Sequence, residues 1–247
     1  MPTFEFAADL PSLLLSSSIS VIVIGLMLFM AFRLHASNRR RAYRTLLVSL
    51  GFILIHHSLQ LALSLGLLHG QAGLSFAGKL LQVFSFIVMN FAVFELYFRR
   101  RSRTRLWFYG LLGLGVLIAA GDLLPVPAES GAAWAERLAF TPVLDGYLLV
   151  LPPLFALMFG PHIGQPRKYA FGLGSAFAAQ LCVVLHQYGG PRFAVWGVAA
   201  EVLNVVYYVL LFMLFFERVV ELLMTAYRSS ITDGLTNLYN RRFFLSQ

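Results

Sequence analysis

Seven apolar stretches divide this chain at nearly regular intervals, each about as long as a bilayer's hydrocarbon core is thick. They lie near residues 12–32, 45–68, 76–98, 106–125, 142–160, 169–189 and 194–216. About 20 apolar residues take a helix across that core. Inside it, backbone polar groups have no water to pair with, so a spanning segment closes its own hydrogen bonds as a helix. Little of the 247 residues is left over for a large soluble domain. Only 12% of the residues are charged, against about 25% in a soluble domain, and the mean hydropathy is +0.75. The expected fold class is therefore an all-α membrane protein, a seven-transmembrane helix bundle. Pro152 and Pro153 fall inside the fifth stretch. Neighbouring helices tolerate proline in membranes, so a kink is expected there, not a break.

The arginines orient the bundle. Arg33, Arg39, Arg40, Arg41 and Arg44 follow the first span, and Arg99, Arg100, Arg101, Arg103 and Arg105 follow the third. Arg167 and Lys168 follow the fifth, and Arg218, Arg228, Arg241 and Arg242 follow the seventh. The other connections hold only Lys79, Arg137 and Arg192. Basic residues stay on the cytoplasmic side, which predicts an N-out/C-in topology. The same clustering explains the net charge of +8 as a topology signal and argues against nucleic acid as a partner. Glu5 and Asp9 precede the first span, without the positive n-region of a cleavable signal peptide. Cys182 is the one cysteine, so no intrachain disulfide can form. The connection at 126–141, with Trp134, is expected to form a short interfacial helix. Gly115 and Ala119, Gly172 and Ala176, and Gly174 and Ala178 are spaced to let helices approach closely.

The seventh span carries an apolar seam beyond the membrane. Val209, Met213, Phe216, Val220, Leu223 and Tyr227 recur at alternating spacings of four and three, the pattern of a coiled coil. The seam predicts a continuous helix that pairs with a second copy as a homodimer. The division is then an extracytoplasmic N-terminus at 1–11, a bundle at 12–216, a signalling linker helix at 217–231 and a further segment at 232–247.

That last segment reads Asp233, Leu235, Thr236, Leu238, Asn240, Arg241 and Arg242. It resembles the D-x-L-T-x-L-x-N-R-R opening of GGDEF domains, the diguanylate cyclase family. Asn237 stands where that opening usually has glycine, and asparagine also tolerates left-handed backbone. The resemblance covers about 15 residues and implies a cytoplasmic output domain in a bacterial inner membrane protein. Such a domain binds Mg-bound GTP and, as a dimer, joins two GTP into cyclic di-GMP. The signature loop and metal-binding carboxylates of that family fall after Gln247. This chain is thus expected to be inactive as a cyclase alone and to act as the sensory and transmembrane part of one.

Ionisable groups inside a bilayer are costly and usually mark function. On this topology His57, Gln60, Asp122, Asp145, Gln180, His186, Glu201 and Asn204 lie in the outer half or near the middle. His57, Gln60 and Ser64 share one helical face, as do Glu201, Asn204 and Tyr208. They are expected to point inward and to line a ligand pocket open to the outer surface or outer leaflet. Short outer connections and 23 phenylalanines favour a small apolar or amphipathic ligand. The structural alternative is that these groups only bond across helices. Other readings are a haem- or metal-binding redox or gas sensor, with His56, His57 and His186 as candidate ligands, a passive membrane anchor and dimeriser, or a transporter. Adjacent His56 and His57 point about 100° apart, which disfavours one ion between them. No lysine lies mid-membrane to hold retinal.

Overall fold

A computed structural model describes residues 6–37, 41–65, 72–98, 102–123, 141–189 and 195–231. The expected interfacial helix at 126–141 falls almost entirely outside these residues, and the motif at 233–242 falls wholly outside them. Seven α-helices account for nearly all of the described chain: α1 (Phe6–Ser37), α2 (Arg41–Ser64), α3 (Ala72–Tyr97), α4 (Ser102–Leu123), α5 (Pro142–Phe159), α6 (Pro166–Tyr188) and α7 (Val195–Ile231). A single 3₁₀ turn, Gly160–His162, leads out of α5, and no strand occurs among the described residues. All of α5 is helical through Pro152 and Pro153, as neighbouring helices permit in a membrane bundle.

Six of the helices are long and apolar enough to cross a membrane. α4 falls short by that measure, because its apolar part is the shorter Leu106–Asp122. Consecutive helices run antiparallel around a closed ring. α1 packs on α2 and α7, α2 on α3, α5 on α6, and α6 on α7. α3 touches α5 directly, and α4 packs on both.

The packing is the reverse of a water-soluble bundle. On α1, Leu15, Ile22, Leu26 and Phe29 are exposed while Ser16, Ser20, Ile24, Met27 and Ala31 are buried. Each set keeps helical spacing, and the two occupy opposite faces. Ser49, His56, His57, Asn90, Asp145 and Gln180 are likewise buried. The perimeter shows Phe52, Ile55, Leu117, Val150, Leu157 and Phe171 instead. An apolar patch of this extent is not stable against water and fits lipid.

α3 is the hub, and phenylalanine carries most of its reach. Phe91 stacks on Phe108 of α4 at 4.3 Å, and Phe94 stacks on Phe159 of α5 at 4.3 Å. Phe86 meets Phe155 of α5 edge-on and stacks on Tyr207 of α7. Offset and edge-to-face pairs of this kind add about 0.5–1.5 kcal/mol each beyond their burial.

Two of the three small-residue pairs serve packing. Gly172 and Ala176 are buried where α6 meets Leu210 and Tyr207 of α7. On α4, Gly115 lies so close to its neighbours that an added methyl would stand 3.3 Å from Val83 and 3.4 Å from Tyr147. Gly174 faces outward with nothing near it, so the third pair makes no such contact. Gly115→Val is therefore expected to destabilise the bundle by about 1–3 kcal/mol through overpacking. Gly113→Val, exposed and with nothing within 4 Å, is the control. Thermal unfolding in detergent should lower the midpoint only for the first.

Candidate functional site

The predicted site residues do not form one pocket. They separate into two clusters and several isolated positions, each explained by which helix faces which.

The first cluster lies at the bundle end where α3 and α5 begin and α4 and α6 finish. The Lys79 ammonium donates to Asp145 Oδ2 at 3.0 Å, Thr141 Oγ1 at 3.0 Å and Gln187 Oε1 at 3.3 Å. Tyr188 donates its hydroxyl to the same Asp145 oxygen at 2.7 Å. Asp145 is almost wholly enclosed, its side chain 3% exposed against 20% for Lys79. Such a pair survives burial because further hydrogen bonds share each charge. Asp122 has a different task. Its Oδ2 accepts the Leu144 N–H at 3.1 Å, one of the first N–H groups of α5 that helix geometry leaves unpaired. The end of α4 thus caps the start of α5, with a carboxylate at the positive end of the helix dipole.

The second cluster joins α1, α2 and α7. The Ser16 hydroxyl donates to Glu201, and the His57 ring meets Tyr208 edge-on at 4.8 Å. His56 and His57 stand 5.0 Å apart with their planes at 69°. They divide their attention as their one-residue spacing requires. His57 faces Tyr208 of α7, while His56 bonds the backbone of Gly78 on α3. Gln60, one turn along, reaches the same glycine, 3.8 Å from where its Cβ would stand. Among the described residues, His56 Nδ1 and His57 Nε2 have no hydrogen-bond partner, and both are shielded from solvent.

The remaining predicted residues belong to neither cluster. The His186 ring packs on Gly197, where an added methyl would lie 3.3 Å away. Gln180 is buried, with its amide nitrogen unpartnered. Asn204 is half-buried. Among the described residues no group of three or more His, Cys, Asp or Glu is placed to hold a metal ion.

Sequence reasoning missed two polar centres. In the middle of the bundle, Asn90 Nδ2 donates to Phe86 O at 2.9 Å and to Tyr207 Oη at 3.0 Å, and Tyr169 donates to Asn90 Oδ1 at 3.0 Å. This triad of buried residues ties α3 to α6 and α7. At the end opposite Lys79, Tyr97 donates to Leu214 O at 3.2 Å, and Arg218 donates to Leu96 O through Nε at 3.3 Å and Nη2 at 3.2 Å. A cavity of about 390 Å³ adjoins Arg218, lined by Tyr97, Gly164, Gln165, Glu217 and Glu221. The signal for both was tyrosine inside apolar helices, whose hydroxyl requires a partner when buried.

The seam residues have a clear position. Val209, Met213, Phe216, Val220, Leu223 and Tyr227 are all exposed, from 37% at Val209 to 61% at Tyr227. On the opposite side of α7, Tyr207, Leu211, Leu214, Phe215 and Val219 are buried against the bundle.

Comparison of the chain with protein-family models, curated proteins and solved structures finds no match.

The Lys79–Asp145 pair makes a direct test of the first cluster. Asp145→Leu leaves the ammonium unpaired and is expected to cost roughly 3 kcal/mol. Adding Lys79→Leu should return most of that loss. Unfolding in detergent gives the double-mutant cycle. Two single-site costs that merely add would show that the charges do not interact.

Proposed function

We propose that this chain is the membrane-embedded sensory module of a dimeric signalling protein. In this reading all seven helices span a bacterial inner membrane, N-out and C-in, and α7 delivers the state of the bundle to a cytoplasmic GGDEF-type output. That output would make cyclic di-GMP from two Mg-bound GTP molecules. The observation that carries the reading is α7 itself. At 37 residues it measures about 55 Å, well beyond the roughly 30 Å hydrocarbon core. Its uncovered apolar seam continues past the bundle into the excess length. With Met213, Val220 and Tyr227 at one set of core positions and Val209, Phe216 and Leu223 at the other, the cytoplasmic turn has valine at a and leucine at d. That combination favours two parallel strands, the arrangement that would bring two output domains together.

Three further features support it. The motif from Asp233 to Arg242 follows the seam in the order expected of such a protein. α4 begins at the Arg218 end of the bundle and finishes at the Lys79 end, where Asp122 caps α5, as a seventh span would. The basic residues favour the Arg218 end as the cytoplasmic one. In this reading a small apolar or amphipathic stimulus would act at His57, Tyr208 and Glu201, where a buried ring nitrogen has no hydrogen-bond partner among the described residues. The Lys79 and Asn90 groups already use one another. A passive anchor and dimeriser is the second reading, and those same self-contained networks favour it.

The test uses residues 1–231 fused to a complete GGDEF domain and expressed in bacteria, with cyclic di-GMP measured by mass spectrometry. The fusion is expected to exceed a control with an inactivated cyclase. Leu223→Glu should reduce output about tenfold, because a buried leucine contributes about 1.5–3 kcal/mol. Thr225→Glu, off the seam, should not. Equal output from the two variants would remove the seam from the mechanism. His57→Ala and Glu201→Ala separate sensor from anchor, since an anchor is indifferent to both.

A further inference from the structure

The seam leaves the bundle at a point that is held from its opposite side. Leu214 and Arg218, one turn apart on α7, contact the end of α3. Arg218 lies about 160° around the helix from both Phe216 and Val220, so the face that grips α3 is nearly opposite the face that would grip a second copy. The grip is reciprocal. Tyr97 of α3 donates to the Leu214 carbonyl of α7 at 3.2 Å. Arg218 of α7 donates twice to the Leu96 carbonyl of α3, at 3.2 and 3.3 Å, one of the last carbonyls that α3 cannot satisfy itself. The guanidinium lies over the Tyr97 ring, 4.9 Å from its centre, and also donates to Glu221 at 2.6 Å. Lys168 of α6 pairs with Glu217 beside it at 2.5 Å.

Two rungs therefore join α3 to α7. The upper rung is Asn90 to Tyr207, and the lower is Tyr97 to Leu214, seven residues further on in both helices. The upper rung is enclosed, with Asn90 fully buried. The lower sits where Glu221 is exposed and water competes, and its Arg218–Leu96 distances of 3.2 and 3.3 Å lie at the long end for an N–H···O=C bond, whose usual range is about 2.7–3.2 Å. Room to move adjoins it, in the cavity of about 390 Å³ lined by Tyr97, Gly164, Glu217, Arg218 and Glu221.

We propose that this Tyr97–Arg218 clasp fixes the rotational setting of the seam, and that its release is the step by which the bundle passes its state to the second copy. The clasp rests on the dimeric reading above, and the test keeps the two apart. While the clasp is closed, α7 is pinned to its own bundle and its seam faces outward in one phase. When it opens, α7 below Leu214 loses its bonds to α3 and can turn further about its axis against α6, and the core positions offered to the partner change. Tyr97 and Arg218 are positioning residues, and neither needs to touch a ligand.

The experiment uses the full chain in membranes with Cys182 replaced by serine and single cysteines placed in turn from 219 to 228. Disulfide formation between copies is followed with time. The closed clasp is expected to give fast crosslinking at 220, 223 and 227 and slow crosslinking at 221 and 225. Combining Tyr97→Phe with Arg218→Gln should flatten or shift that pattern. The contrast between seam and off-seam positions should fall about tenfold, the loss expected for hydrogen bonds to a charged group. Tyr97→Phe alone should move it the same way by less. Gly164→Ala should act like Tyr97→Phe without deleting a donor, since its methyl would stand 3.2 Å from the Tyr97 ring. An intrachain crosslink between Ser16→Cys and Glu201→Cys reports an assembled bundle in each background, and the milder single variants carry the reading if the double variant does not assemble. An unchanged seam pattern in the assembled variants overturns the clasp and leaves the dimer standing. No crosslinking at the seam with the clasp intact overturns the dimer and the clasp with it.

Discussion

A bilayer offers no water to a polar group, and the arrangement of this protein follows from that single lack. Each helix closes its own backbone bonds. What remains to be placed is the set of polar side chains that lipid cannot accept. They are collected on inner faces: serines of α1, histidines of α2, Asn90 of α3 and Asp145 of α5. Lipid and helix interior are similarly apolar, so hydrophobic burial gives little direction to helix association in a membrane. Contact geometry and cross-helix hydrogen bonds supply it instead. This is why a few residues, such as Asn90 and Lys79, each bind partners on two or more other helices.

The connections are unequal. At the Lys79 end, ammonium, carboxylates, a hydroxyl and an amide bind α3, α5 and α6, and a carboxylate from α4 closes the start of α5. Mid-bundle, the Asn90 triad joins α3 to α6 and α7. The junction of α1, α2 and α7 is held by the Ser16–Glu201 bond and by ring contacts, with two imidazole nitrogens left unpartnered. A group without a partner in a buried place stores unfavourable free energy, about 1–3 kcal/mol when nothing replaces its water. A molecule that satisfies it gains that much differential affinity, and differential affinity is the only means by which a ligand shifts a conformational balance. On the proposed sensory reading, the second cluster is therefore the better place to look for a stimulus.

Much of the fold was legible in the sequence, because the bilayer sets a length and six of the seven helices meet it. All seven helices lie where hydropathy put them. α4 fell short as a span because Ser102–Arg105 opens it with polar and basic residues, which leaves the apolar part at Leu106–Asp122. The inward direction of His57 and the outward direction of the seam were legible from spacing alone. Which polar groups would meet was not. Asp145 and His186 share a depth, yet one is bound to Lys79 while the other lies on Gly197. Helix rotation and neighbour order decide that, and neither is written in hydropathy. The contact of Tyr97 and Arg218 was not legible for a further reason. Each donates to a backbone carbonyl, and a carbonyl exists at every position, so no spacing of residue types announces the pairing.

The position of α7 gives the bundle a direction. It packs on α1 and α6 and is bonded to α3, so a shift of any of these reaches it. It is also the helix that extends furthest beyond the others. On the proposed reading, a rearrangement among α1, α2 and α3 matters to the output only where it turns α7 and with it the exposed apolar seam. In the proposed topology, charge placement favours a turn of α7 over a slide. Drawing α7 along its axis would pull Glu201 towards the apolar middle or Arg218 into it, and an ion at the bilayer centre costs at least about 2.5–3.5 kcal/mol. Rotation about the axis leaves both at their depths. On the proposed reading the two residues therefore oppose a slide, and a turn is the motion that would change which side of α7 a second copy meets.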